Sequence, residues 1–135
     1  MAKFVLDFFP TFDFDIVGIC CHHKVYRLCW ALNKELDLSF ERAKAGLTER
    51  VNGKVIEFCL YKSENEEGEK VHLIQNKQGG NVLIPGLKHI DFFMIIFELK
   101  SSEKLTQRIR KIKDVLTAVE VNPESDKDLE KLIYE

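Results

Sequence analysis

Residues 92–97, Phe-Phe-Met-Ile-Ile-Phe, form an unbroken apolar run between Asp91 and Glu98. A strand with no polar alternation has to be covered on both faces, so this run belongs at the centre of a sheet. It is far too short to span a bilayer, which takes ~20 apolar residues. The chain has 135 residues, 45% of them hydrophobic and ten of them Phe. That supply of large apolar side chains supports one core and one domain, residues 1–135.

The rest of the chain supplies what would surround that strand. From Phe12 to Cys21 a strand starts with Phe12, Phe14 and Ile16 on one face and gains Val17 and Ile19 on the other. Val25, Leu28, Cys29, Leu32 and Leu36 then recur at helical spacing, which predicts a helix over His23–Leu36 with Tyr26, Trp30 and Asn33 flanking the buried stripe. Leu38 and Phe40 alternate with polar residues as in a short strand. Asn52-Gly53 signals a tight hairpin leading into Ile56, Phe58 and Leu60. The acidic run Ser63–Glu69 reads as a mobile loop joining that strand to an antiparallel partner, Lys70–Gln75, and 76–81 as another polar loop.

After the central run, Ser101 or Ser102 can cap a helix with Leu105, Ile109 and Ile112 inward. A strand with Val115, Thr117, Val119 and Val121 on one side follows, stopped by Asn122-Pro123. Ser125 and Asp128 then resemble a capping box before a last short helix through Leu129, Leu132 and Ile133. This order predicts an α+β fold: a two-layer sandwich with a mostly antiparallel sheet, two main helices on one face, and a ferredoxin-like or ACT-like second half.

Twenty Lys and Arg against 22 Asp and Glu give a net charge of -2, so no chain-wide basic field recruits nucleic acid. Asp7 and Pro10 interrupt the first apolar residues before a signal-peptide core is complete. The expectation is a cytoplasmic protein with no membrane partner and reduced cysteines.

Four groups of residues carry chemical interest. Cys20-Cys21-His22-His23 gathers zinc-type ligands, but adjacent strand residues project to opposite faces and do not close a tetrahedron, so no metal and no cofactor is expected. Cys21 as a nucleophile needs a base among His22, His72 or His89. Lys100, Lys104, Arg108, Arg110, Lys111 and Lys113 form the most basic stretch, a solvated helix face or a phosphate-binding one, though with no aromatic interleaved. Asp91, at the start of the central run, calls for a cation such as Arg27 or Lys88 if buried.

Two strings, IVGICCHHKVYRLCWALNKELDLSF (16–40) and LIPGLKHIDFFMIIFEL (83–99), resemble the IPExxxVDY family of Bacteroidetes bacteria. Ile84, Pro85 and Asp91 match the naming motif, while Gly86, Ile90 and Phe92 stand where it has Glu, Val and Tyr. The resemblance implies a small cytoplasmic bacterial protein and assigns no activity.

The leading reading is a non-enzymatic protein-interaction or adaptor module that binds a protein partner through a sheet edge or through the surface of Tyr26, Arg27, Asn33, Pro85 and Asp91. Homodimerisation is a further partner reading. The alternative is an RNA-binding or small-ligand-binding regulatory domain using Lys104, Arg108, Arg110 and Lys111. A third is an enzyme with a Cys/His or Asp site.

Overall fold

The computed structural model describes residues 14–99 and 104–133. Strand β1 (Asp15–Cys20) leads into helix α1 (Val25–Leu36), then β2 (Glu41–Arg42), β3 (Leu47–Val51), β4 (Lys54–Phe58), β5 (Leu60–Glu64), β6 (Lys70–Gln75), β7 (Lys77–Gln78) and β8 (Asn81–Val82). A 3-10 turn (Pro85–Leu87) precedes β9 (Phe92–Glu98), helix α2 (Leu105–Arg110), β10 (Thr117–Val121) and a 3-10 helix (Lys127–Ile133).

The main sheet has the order β10-β1-β9-β6-β5-β2, and every pairing in it is antiparallel. The fold is therefore the expected α+β arrangement, with β9 central. Strands β9 and β10 both run antiparallel to β1, which lies between them, and α2 connects them. This split β-α-β is the unit of ferredoxin-like sandwiches. Strands β1 and β6 flank β9 in the same way, with α1 in their connection.

Both helices pack on one face. Leu28, Cys29, Leu32 and Leu36 of α1 and Leu105 and Ile109 of α2 cover Val17, Ile19, Leu73, Phe92, Met94 and Ile96. The opposite face, with Ile16, Ile74, Phe93 and Ile95, is covered by non-helical chain: Phe58 from the β3–β4 hairpin, Leu83, Ile84 and Ile90 before β9, and Leu129 and Leu132 of the last 3-10 helix. The hairpin turns on Asn52 and Gly53, both at positive φ as a two-residue primed turn requires.

Local differences from the sequence reading have identifiable causes. Leu38–Phe40 is not a strand, because side chains hold its amides: Ser39 N–H donates to Ser63 Oγ and Phe40 N–H to Asn33 Oδ1. The run Ile56–Leu60 divides at Cys59, where the chain passes from the hairpin into the main sheet, and Cys59 and Gln75 exchange hydrogen bonds. The acidic connection is a tight turn rather than a mobile loop, since Asn65 Oδ1 accepts from Glu67 and Glu69 amides. Val115 packs in the helix-side core instead of aligning with Val119 and Val121, because β10 begins only at Thr117. Ser125 forms no capping box with Asp128. Its hydroxyl donates to the Asn122 carbonyl, and Asp126 Oδ1 accepts the Asp128 amide in its place. The proposed caps Ser101 and Ser102, and Phe12, lie outside the described residues.

Cys29 sits at the contact of α1 with the sheet, and burial pushes its thiol up to about 12. A thiol whose folded pKa is raised keeps its full stabilising contribution below the unfolded value and loses it as pH climbs towards the folded one. Urea midpoints measured between pH 9 and 12 should therefore fall, and the fall should be smaller in Cys29→Ala than in the parent chain.

Candidate functional site

The polar groups that looked reactive in the sequence meet where β1 ends. The Asp91 carboxylate accepts the Cys21 amide at 2.8 Å through Oδ2 and pairs with Lys77 Nζ at 2.9 Å through Oδ1. Its cation is thus Lys77 rather than Arg27 or Lys88, because the β7–β8 hairpin folds back beside the start of β9. Asp91 backbone groups bond Ile19 and Asn76. Both carboxylate oxygens are engaged in holding chain segments together.

The cysteines face different ways. Cys21 is buried in the helix-side core, and Cys20 Sγ donates to the His89 carbonyl on the other side. Burial, reinforced at Cys20 by the Asp91 charge, raises both thiols above their ordinary pKa, so neither is held as a thiolate nucleophile. Among the described residues, no three of His, Cys, Asp and Glu converge as metal ligands would.

The residue that organises this end is Asn76, fully buried and unremarked in the sequence. Its Nδ2 donates to the carbonyls of Leu87 (3.1 Å) and Ile90 (2.7 Å), and its Oδ1 accepts the Ile84 amide (2.9 Å). Its own amide donates to the Asp91 carbonyl, and its carbonyl accepts from Leu83. One side chain thereby meets three backbone groups of residues 84–90, a segment outside the sheet ladders. Pro85 opens the 3-10 turn on the exposed side of this segment. A Cβ at Gly86 would meet the Asp126 carboxylate, the movable end of a side chain that would have to shift to admit it.

Tyr26 and Trp30 are not core flank. They are 67% and 65% exposed, one turn apart on the outward face of α1. Lys34, a further turn on, sets its ammonium 5.2 Å from the Trp30 ring. Arg27 beside them is held by Asp114, Nε to Oδ2 at 2.9 Å, and His23 Nε2 lies 3.3 Å from the same carboxylate. Asn33 is internal in role: it receives the Phe40 amide on its side chain and the Asp37 and Leu38 amides on its carbonyl, closing the helix where Asp37 turns left-handed. Tyr26 and Arg27 therefore share a surface, whereas Asn33, Pro85 and Asp91 do not join it as free groups.

The basic stretch is divided. Arg108 donates to the Glu35 carbonyl at 3.0 Å and Arg110 Nε to the Ala118 carbonyl at 2.7 Å, tying α2 to α1 and to β10, while Lys104 and Lys111 are exposed. A concavity of about 180 Å³ beside Lys104 and Leu105, walled by Asp15, Val17, Ile96 and Glu120, contains none of the cysteines or histidines. No family model matches the chain, and no curated protein does so either.

Two substitutions separate the roles of the polar groups. Asn76→Ala leaves the buried Ile84 amide and Ile90 carbonyl without the Asn76 side chain, while the Leu87 carbonyl keeps the Ile90 amide, and should lower unfolding stability by about 2–4 kcal/mol in urea titrations. Asn76→Asp should be no milder, because it turns a carboxylate towards two carbonyls. Asp91→Asn keeps an acceptor for Cys21 and loses only a partly exposed ion pair, so its loss should stay under about 1 kcal/mol.

Proposed function

We propose that the chain is a non-enzymatic interaction module of the cytoplasm that binds a protein partner through the outward face of α1. The observation that carries this reading is the pair Tyr26 and Trp30, two large aromatics left mostly in solvent on a helix whose other side is fully packed. Tyr, Trp and Arg are the side chains that most often anchor protein interfaces, and Arg27 stands with them, its guanidinium fixed by Asp114. Rigid aromatic anchors lose little conformational freedom on binding.

The sheet edges and the polar cluster at the end of β1 support the reading by being committed elsewhere. At the β10 edge the Ala118 carbonyl is capped by Arg110, and at the opposite edge β2 contributes only two residues. Both are ways in which sheets blunt strand addition. The Asp91 carboxylate and the protonated thiols serve the packing of the chain, which leaves a Cys/His or Asp enzyme without an activated group.

Affinity capture with the tagged full chain from its own host tests this. A stoichiometric protein should be recovered by the parent chain and reduced about tenfold or more by Tyr26→Ser with Trp30→Ser, two exposed changes that leave the core intact. Recovery of nothing stoichiometric, or equal recovery by both chains, defeats the reading.

A further inference from the structure

The two helices lie on the same face of the sheet, and two contacts fix them side by side: Arg27 with Asp114 and Arg108 with the Glu35 carbonyl. Residues 24–37 and 104–114 together hold eight Lys and Arg against three Asp and Glu. The whole chain is at -2, so the positive helical layer is balanced by an acidic remainder. Most of that excess comes from 104–114, with five Lys and Arg against one Asp, and folding sets this basic stretch beside the helix that carries Tyr26 and Trp30.

We infer that the partner segment bound by α1, if bound as proposed above, is acidic and carries apolar side chains that cover Tyr26 and Trp30. Lys24 and Lys34 are exposed at either end of the aromatic pair, and Lys111 and Lys113 are exposed near the end of α2. These ammonium groups complement carboxylates around an apolar centre, the arrangement in which charges at the rim set orientation and association rate while buried aromatics hold the complex. Nucleic acid fits less well. The guanidinium groups that would grip phosphate are engaged with Asp114, Glu35 and Ala118, and Lys34 already lies over the Trp30 ring on which a base would stack.

Trp30 is the single tryptophan of the chain, so its emission reports directly on this surface. The test titrates the full chain with a short peptide rich in Asp and Glu that carries two leucines one helical turn apart, and separately with oligouridylate. The peptide should shift Trp30 emission saturably, bind about tenfold or more weakly when salt rises from ~50 to ~300 mM, and lose binding in Lys24→Glu with Lys34→Glu. Lys54→Glu with Lys127→Glu, outside α1 and α2, should bind as the parent does. The inference is overturned by an absent response to peptide, by tighter binding of oligouridylate, by equal loss in the control pair, or by charge-dependent self-association without peptide. If the aromatic substitutions abolish partner capture while the peptide fails to bind, the interaction surface stands and only its acidic partner class falls. If capture ignores those substitutions, the surface itself is wrong.

Discussion

Strand β9 is apolar on both sides, and the whole architecture follows from having to enclose it twice. On one side α1 and α2 do this at little further demand, because a helix satisfies its backbone internally and presents an apolar stripe. The other side is enclosed by chain that is mostly not regular: the segment before β9, the β3–β4 hairpin and the last 3-10 helix. Irregular backbone pressed onto a core brings amides and carbonyls that no ladder satisfies. Polar side chains have to meet them. Asn76 does so for 84–90, Asp126 for the start of the last 3-10 helix, and Lys131 Nζ reaches the Leu83 carbonyl while pairing with Glu49 of the hairpin.

That requirement decides what the polar cluster at the end of β1 is for. An aspartate, a lysine, two cysteines and a histidine backbone within a few ångströms of one another resemble the parts of a reactive centre. Their bonds instead join β1, the β7–β8 hairpin and β9 at one point. The thiols are pushed towards the protonated state by the same burial that makes the junction stable. Chemistry and enclosure draw on the same groups here, and enclosure has taken them.

The features legible in the sequence were those with a period or a local signature. The α1 stripe, the Asn52-Gly53 turn, the alternation of β1 and the unbroken β9 each follow from neighbours within a few positions. Asn76 was not legible, because a polar residue in a Gly-containing stretch looks like exposed loop. Its burial is set by partners eight to fourteen residues away that themselves have no periodic signal. The same holds for Lys77 beside Asp91 and for the passage at Cys59 between two sheets. The basic stretch of α2 had no aromatic within its own span. The nearest exposed aromatics lie on α1, and only the pairing of the two helices sets that helix beside the basic stretch.

Within α1 the structural and surface roles fall on opposite sides of a single helix. Leu28, Cys29, Leu32 and Leu36 carry the enclosure of β9, and Asn33 with left-handed Asp37 fixes where the helix ends. Tyr26 and Trp30 contribute almost nothing to that packing. Exposed aromatics on a helix sacrifice some solubility without a compensating gain in the core. Because the core is complete without them, stability does not account for their presence. The exposed side of α1 that carries them is accordingly the surface on which we propose that a partner binds.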